Sequence, residues 1–360
     1  MKHEQEVVDY IKKNKPIRCD TVFAAFRGKV SRDDIREIWR NKAQTRVKSV
    51  DSALAEELAS TKAQLSILNK IQQGIQVHKI EPSKSKGAET EATPIIVASD
   101  WHIEEEVKKE WVNDLNSYNL DESRKRADTF FRTALRLTQM FGKDVKIKNV
   151  VFGFLGDFIT NDIHEEMVET ALLEPMDAIL RAKKYLVSGI EFFLENSDYT
   201  LTIICCSGNH ARTTDENYSS TESGHSLEYM MYKVMEDQYA GNPRVKFIVN
   251  ISYHSYLDVL GYKVRFHHGH AIRYGGGIGG LFVPAYKKID KWNNAMKVDL
   301  DIFGHHHQLK DGGSFISNGS MIGYNAYALR GGFSFERPQQ LYILIDEKRG
   351  RTISAPILFQ

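Results

Sequence analysis

Short apolar runs alternate with long amphipathic segments from residue 95 onwards, and this alternation restricts the chain to few fold classes. Residues 95–98, 150–155 and 201–206 have the composition of buried strands, while residues 120–141 and 171–193 repeat apolar side chains at helical spacing. Further strands are expected at residues 245–249, 252–260, 262–267, 300–303, 314–317 and 341–346. We therefore predict an α/β fold in which two sheets stack as a β-sandwich flanked by helices, with a small all-α domain at the amino end.

Polar side chains follow these apolar runs at the points where the predicted strands end. Asp100 and His102 come after the first run, Asp157 after the second, and Asn209 and His210 after the third. Open α/β sheets bind ligands at the carboxyl ends of their strands. The sequence therefore predicts a ligand site at this edge of the sheet.

Two histidine clusters stand at the ends of later strands. Six of the thirteen histidines fall within residues 266–307. Imidazoles packed together lower one another's pKa by repulsion and gain little from burial alone, so the crowding needs a physical cause, and a bound metal supplies one. The clusters comprise His267, His268, His270, His305, His306 and His307.

The order of these motifs resembles that of the calcineurin-like metallophosphoesterases. The series Asp-x-His, Gly-Asp, Gly-Asn-His, His-Gly and Gly-His-x-His extends from about residue 95 to 310. Each motif alone carries little information, whereas five in this order at strand ends are specific. The resemblance implies the four-layer fold of that family and two divalent metal ions. It assigns Asp100, His102, Asp157 and His307 to one metal, and Asp157, Asn209, His268 and His305 to the other.

The resemblance makes Asp157 the ligand that bridges the two metals. A donor set of carboxylate, amide oxygen and imidazole suits Mn²⁺, Fe or Zn²⁺ better than Mg²⁺ or Ca²⁺, and we expect Mn²⁺. Two such cations roughly 3.5–4 Å apart lower the pKa of a bridging water, so that hydroxide can attack phosphorus in line.

His210 follows the predicted ligand Asn209 and is expected to stabilise the transition state or to protonate the leaving oxygen. The family often has an acidic residue after this histidine, whereas Ala211 and Arg212 follow it here. Arg212 is expected either to grip a phosphate oxygen or to form a surface salt bridge. The remaining cluster histidines are expected to orient the ligands.

The amino end is basic although the whole chain carries a formal charge of only +1. Residues 1–48 hold thirteen Lys and Arg against seven Asp and Glu. Apolar spacing predicts three short helices with a turn at Gly28 before the third, which resembles a helix-turn-helix. Arg32, Arg36 and Arg40 form one stripe on that third helix. The stripe either contacts DNA or is a solvated charged face.

The segment after residue 48 connects the two predicted domains. Residues 51–78 predict a helix with leucines in near-heptad positions, which could self-associate or pack against the catalytic domain. Residues 81–93 have the composition of a flexible linker. We expect a DNA-binding domain at 1–48, a helix and linker at 49–93, and a metallophosphoesterase domain at 94–360.

Composition favours a soluble cytoplasmic protein. The sequence has no apolar run long enough to cross a bilayer and is charged from its second residue, so we expect neither membrane association nor a secretory signal. The three cysteines, Cys19, Cys205 and Cys206, make no disulfide framework, which agrees with a reducing compartment.

The predicted ligands and the basic amino end together favour a two-metal phosphodiesterase or nuclease that acts on DNA. The Gly-Asn-His-x-Arg motif of this sequence is similar to that of bacteriophage-type members of the family. A phosphatase acting on nucleotides or phosphoproteins stays open, because the metals contact only the phosphate. An inactive DNA-binding regulator would have lost ligands, and all seven are present.

Overall fold

The computed structural model describes residues 3–14, 18–74, 90–274 and 280–359. The chain divides into an amino-terminal unit, Met1–Ser83, and a carboxy-terminal unit, Lys84–Gln360. Within the described ranges, no helix combines the length and the apolar character that crossing a bilayer requires.

The amino-terminal unit is a small helical bundle. Its helices are α1 Glu4–Lys13, α2 Cys19–Ala25 and α3 Arg32–Gly74. Ser31 caps α3, because its Oγ accepts a 3.2 Å hydrogen bond from the backbone N–H of Asp34. The predicted helical amino-terminal region is thus confirmed. Its buried core consists of Val7, Ile11, Val22, Phe26, Ile35 and Ile38.

Residues 51–74 are helical as predicted, but they are part of α3, which begins at Arg32 and continues to Gly74. No glycine or proline occurs between Arg32 and Gln73, so nothing in the sequence breaks the helix. The predicted boundary between residues 48 and 49 therefore falls inside α3. Residues 75–78 and most of the predicted linker lie outside the described residues, and self-association stays a prediction.

The carboxy-terminal unit is built on two sheets. The first has the order β11-β10-β1-β2-β3-β4, in which β1 to β4 are parallel and β10 is antiparallel to its neighbours β1 and β11. The second has the order β5-β6-β7-β9-β8, with β6, β7 and β9 parallel. The strands are β1 Ala92–Ala98, β2 Asn149–Phe154, β3 Thr200–Cys205, β4 Val245–Val249, β5 Ser255–Val259, β6 Tyr262–Phe266, β7 Leu300–Phe303, β8 Lys310–Asp311, β9 Phe315–Ser317, β10 Gln339–Asp346 and β11 Gly350–Leu358.

Strand alternation distributes the apolar side chains between the layers. Along β1, Ile96 and Ala98 join the core beneath the helices, while Ile95 and Val97 join the core between the sheets. The far face of the second sheet is covered by α8 through Ile289. The order helix, sheet, sheet, helix confirms the predicted sandwich. The helices are α4 Leu120–Phe141, α5 Glu165–Thr170, α6 Pro175–Asn196, α7 Leu227–Tyr239, α8 Phe282–Ala295 and α9 Ala326–Arg330.

Helix α4 shows how local signals fix an element of this fold. Its N-cap, Asn119, accepts hydrogen bonds of 3.0 Å from the backbone N–H groups of Asp121 and Glu122. Those two carboxylates also interact favourably with the positive end of the helix dipole, which stabilises the first turn. The predicted helix at residues 120–141 is confirmed at both ends.

Candidate metal centre

The seven predicted ligands meet at one edge of the sandwich, where five strands end. Among the described residues, groups of three ligand atoms lie within 4.8 Å of one another, and the groups overlap at His102 and Asp157. The seven are Asp100 and His102 after β1, Asp157 after β2, Asn209 after β3, His268 after β6, and His305 and His307 after β7.

The first group contains Asp100, His102 and His307. The His307 Nε2 lies 3.5 Å from Asp100 Oδ1 and 3.2 Å from His102 Nε2. The other ring nitrogen of His102, Nδ1, lies 3.0 Å from Thr160 Oγ1, which turns Nε2 towards the group. Two imidazole nitrogens so close can share only one proton, and a cation bound by both would relieve the repulsion that remains.

The second group contains Asp157, His268 and His305, with Asn209 beside them. The His268 Nε2 lies 2.9 Å from Asp157 Oδ2 and 3.1 Å from Asn209 Oδ1. Its Nδ1 donates to the Leu155 carbonyl at 2.7 Å, so Nε2 is the nitrogen left for a metal. All seven predicted ligands are therefore brought together by the fold.

His210 is oriented by a backbone carbonyl. Its Nδ1 lies 2.9 Å from the carbonyl oxygen of Thr160, and its backbone N–H donates to Asp157 Oδ1 at 2.9 Å. The Nε2 is then directed to the site, 3.9 Å from Asp157 Oδ2. A third group of ligand atoms joins His210 to His102 and Asp157, which connects the two metal groups.

Five of the seven predicted ligands have a left-handed backbone conformation, which is rare outside glycine. Such conformations cost about 1–3 kcal/mol each and persist only where the surroundings hold them. Their concentration at this edge indicates that side-chain placement there was obtained at the expense of backbone stability. The φ angles are 55° at Asp100, 44° at His102, 53° at Asp157, 67° at His305 and 52° at His307.

Two glycines make room for the carboxylates. A Cβ at Gly208 would lie 2.0 Å from Asp157 Oδ1, and a Cβ at Gly304 would lie 2.4 Å from Asp100 Oδ2. Contacts that short do not occur. The glycine of each motif is therefore required by the approach of one ligand loop to another.

Burial and neighbouring charges shift the pKa values of several side chains in the site. Burial, followed by neighbouring imidazoles, lowers the pKa of His102 and His305 well below the usual range, so both are neutral. Burial opposes the charged form of His268, but the Asp157 carboxylate outweighs it and raises the His268 pKa to about 10. Burial also opposes ionisation of Asp157, yet His268 holds its pKa well below the usual range. A cation held by Asp157 and His268 would displace the proton that this pair shares.

Two buried glutamates hold the ligand loops, and sequence analysis missed both. Glu228 of α7 accepts 2.7 Å hydrogen bonds from the backbone N–H groups of Phe158 and Gly208, joining the loops after β2 and β3. Glu104 Oε1 accepts from the N–H groups of Thr160 and Asn161 at 2.7 and 2.8 Å. Burial raises the pKa of Glu104 to about 7 and that of Glu228 to about 8.

Arg212 holds its own loop. Its guanidinium donates to the carbonyl oxygens of Asn209, Thr214 and Asp215 at 2.7, 3.0 and 3.0 Å. These bonds engage all three guanidinium nitrogens, and a phosphate contact by Arg212 stays a prediction.

The other cluster histidines surround the ligands. His267 Nε2 lies 3.5 Å from Asp301 Oδ1, and His270 Nε2 lies 3.5 Å from Glu222 Oε1. His306 is half-buried beside His305, with ring centroids 5.0 Å apart.

The predicted DNA-binding arginines lie on α3 in the amino-terminal unit. All three are exposed. Arg32 pairs with Asp20 at 3.6 Å and stacks over Phe23, while Arg36 pairs with Asp33 at 3.6 Å. Exposed ion pairs of this kind are weak and leave a guanidinium available to a phosphate. DNA binding by Arg32, Arg36 and Arg40 stays a prediction.

The residues at the sandwich edge fit divalent cations. His268 keeps one nitrogen tied to a carbonyl and turns the other towards an acidic oxygen, as metal-binding histidines do. The donor set mixes carboxylate, amide and neutral imidazole, which suits Mn²⁺, Fe or Zn²⁺. Fold and site together define a mixed α/β sandwich with a histidine and carboxylate cluster of the metal-binding kind at one edge.

Solved structures similar to this chain are distant. Vps29 complexed with zinc from Entamoeba histolytica is 11% identical over 73% of this chain and 99% of its own, with a TM-score of 0.28. A predicted phosphoesterase from Streptococcus pneumoniae is 12% identical over 74% and 97%, with a TM-score of 0.28. The sulfate thiohydrolase SoxB of Thermus thermophilus is 9% identical over 78% and 58%, with a TM-score of 0.32.

No family model matches the chain, and no curated protein matches its sequence. Because TM-scores of this size do not establish kinship, the class of the protein rests on its own residues.

Proposed function

We propose that the protein is a two-metal-dependent phosphoesterase of the calcineurin-like metallophosphoesterase superfamily. The observation that carries this proposal is the meeting of seven metal-type donors from five strand ends, with His210 beside them. The order of these donors in the sequence matches the motif series of that superfamily. Two divalent cations, for which we propose Mn²⁺, would supply positive charge that polarises a phosphate ester and acidifies water.

The chain's own residues hold and aim the reacting groups. Asp157 stands between the two ligand groups, fixed by the His210 N–H on Oδ1 and by His268 on Oδ2. Glu228 and Glu104 keep the surrounding loops in place through backbone N–H groups. A rigid donor set lowers the reorganisation that charge development on phosphorus requires.

His210 is the group that handles the proton. Its Nδ1 contact with the Thr160 carbonyl fixes that nitrogen as the donor, so Nε2 alone faces the site. When the ring carries a second proton, on Nε2, it can donate a hydrogen bond to a phosphoryl oxygen or pass that proton to the leaving oxygen. We expect His210→Ala to lower turnover by roughly 10²–10⁴-fold with little loss of bound metal.

The finer proposal is a phosphodiesterase that cleaves DNA, akin to bacteriophage-type members of the superfamily. It rests on the exposed arginine stripe of α3 and on the basic balance of residues 1–48. Phosphate contacts from such a stripe give affinity that depends on salt and not on sequence. The amino-terminal unit would then raise the concentration of DNA near the metal centre.

The first experiment compares hydrolysis of bis-p-nitrophenyl phosphate and p-nitrophenyl phosphate with and without Mn²⁺, alongside labelled single- and double-stranded DNA. Mn²⁺-dependent cleavage of the diester and of DNA supports the nuclease. Cleavage of the monoester alone moves the protein to the phosphatases, and inactivity with Mn²⁺, Fe and Zn²⁺ alike leaves a DNA-binding regulator.

A second experiment tests the arginine stripe. The double variant Arg36→Ala/Arg40→Ala is expected to weaken DNA binding and to reduce the slope of log affinity against log salt by about two, with diester hydrolysis unchanged. The matched control is Arg132→Ala/Arg136→Ala, which removes two exposed arginines at the same spacing on α4. Equal losses in both double variants would refute a specific role for α3.

A further inference from the structure

Three aromatic side chains, of which two are exposed and one is half-buried, lie together in a cluster that the metal chemistry does not use. We call this set, Tyr274, Tyr327 and Phe333, the aromatic platform. The Phe333 ring lies 5.5 Å from that of Tyr274 and 5.9 Å from that of Tyr327. Tyr327 is 75% exposed and Tyr274 is 48% exposed. Contiguous exposed rings of this kind mark binding surfaces more often than chance.

A tight turn presents two of the platform rings. After α9, the N–H of Gly331 donates to the Tyr327 carbonyl at 2.8 Å, and the N–H of Phe333 donates to the Ala328 carbonyl at 3.0 Å. Gly332 has a φ of 69°, which a glycine adopts without strain. The platform is therefore formed before any ligand arrives, and little ordering cost opposes binding.

Hydrogen bonds join the platform to the first ligand group. Asn325, the N-cap of α9, donates to Glu105 Oε1 at 3.0 Å. Thr160 Oγ1 donates to Glu105 Oε2 at 3.2 Å and lies 3.0 Å from His102 Nδ1. Glu105 and Thr160 thus connect the N-cap of α9 to the predicted metal ligand His102 through hydrogen bonds.

A second connection runs through the loop after β7. Gln308, which directly follows the ligand His307, donates to the Ser334 carbonyl at 3.3 Å. The N–H of Leu309 donates to Glu336 Oε1 at 2.8 Å. The segment that carries Phe333 is therefore attached on both sides to loops that supply metal ligands.

Cationic side chains accompany the rings. Arg273, Arg330 and Arg337 are exposed and lie within four residues of a platform ring in the sequence. Across the described part of the chain, none of the three guanidinium groups has an ion pair or a hydrogen bond. Aromatic rings with unpaired arginines close by in the sequence are complementary to a ligand that carries both planar bases and phosphates.

We propose that the aromatic platform stacks an unpaired nucleobase of single-stranded DNA next to the phosphate held at the metal centre. A base within a duplex is already stacked and paired, so only a single strand can offer its face to Tyr327. This inference rests on the proposed function and adds a strand preference to it. Small diesters without a base would gain nothing from the platform.

The test uses the full-length protein and two labelled oligonucleotides of equal length, one natural and one with abasic residues on the same backbone. We expect Tyr327→Ala to lower kcat/KM for the natural strand roughly tenfold, with no change on the abasic strand or on bis-p-nitrophenyl phosphate. Phe333→Leu, which keeps an apolar side chain, should give the same pattern. Tyr256→Ala removes an exposed ring from β5 and serves as the control.

Fluorescence anisotropy with the same oligonucleotides separates the platform from the chemistry. If the protein binds the natural strand more tightly than the abasic strand and Tyr327→Ala abolishes this difference, the platform is supported. If no cleavage is found in that case, only the proposed function fails. If the protein cleaves DNA but Tyr327→Ala affects both strands equally or neither, the platform is refuted. An equal loss on duplex DNA refutes the strand preference.

Discussion

Replacing Gly208 by alanine tests the metal centre most directly, because the new methyl group would collide with the proposed bridging carboxylate. The added Cβ would lie 2.0 Å from Asp157 Oδ1 and 2.3 Å from the Asp157 nitrogen. Real contacts of a Cβ stay beyond about 3 Å, so both the carboxylate and the backbone of Asp157 must retreat by roughly 1 Å. That movement also disturbs the 2.9 Å bond from the His210 N–H.

The magnitude follows from that displacement. A misplacement of about 1 Å in a reacting group costs on the order of 100-fold in turnover. Disturbing the surroundings of a metal ligand typically costs 10- to 100-fold in metal affinity. Accommodating one extra methyl in a packed region destabilises the fold by only about 1–3 kcal/mol. Gly208→Ala should therefore remain folded while it loses metal and activity.

The assay combines isothermal titration with Mn²⁺, the metal content of the dialysed protein, and hydrolysis of bis-p-nitrophenyl phosphate. Gly224→Ala is the matched control, since a Cβ there meets nothing within 4 Å. Titration remains informative even if the substrate proves to be different. Metal affinity and turnover within threefold of wild type in Gly208→Ala would refute the placement of Asp157.

Three further predictions concern other buried groups. The pKa of Glu104 is raised from 4.5 to about 7, so the free energy of unfolding of the metal-free protein should fall as pH rises through that window. Urea titrations at pH 5 and 8 measure this fall, and we expect Glu104→Gln to reduce it by roughly 3 kcal/mol. Burial raises the pKa of Cys206 to about 12 and also raises that of Cys205. Ellman's reagent at pH 8 should therefore label only the half-buried Cys19 of the native protein, and labelling of two or more thiols would contradict this prediction. Gly189→Ala would place a Cβ 2.2 Å from the buried Phe131 ring. We therefore expect the free energy of unfolding to fall by about 1–3 kcal/mol despite the better helix propensity of alanine. A melting temperature equal to that of the wild type would refute the close packing of α4 and α6.

Local signals made much of the fold predictable. Helix α4 is marked by a capping asparagine, an acidic first turn and regular apolar spacing, and its bounds were predicted correctly. Strand β11 was missed, because Gly350–Leu358 alternates exposed positions with partly buried ones and contains Pro356. Such a pattern is typical of an edge strand and lacks the apolar run that marks a buried strand. Helix α3 runs unbroken through the boundary that we predicted between residues 48 and 49, because no residue there breaks a helix.

The supporting residues of the site show where sequence reasoning ends. Metal-type donors such as Asp100 can be predicted, because their residue type and their place after a strand are both local facts. The role of Glu228 depends on two backbone N–H groups contributed by separate loops, and no local pattern contains them. The same holds for Thr160, whose carbonyl oxygen orients His210 from a position 50 residues away in the sequence.

The ligands of the first group also have a mechanical meaning. His102 and His307 are 205 residues apart in the chain and lie in loops that follow strands of different sheets. A cation held by both would act as a removable cross-link between those sheets, comparable with a disulfide that closes a long loop and contributes on the order of 4–5 kcal/mol. The supply of metal would then decide how long the protein survives proteolysis as well as how fast it works.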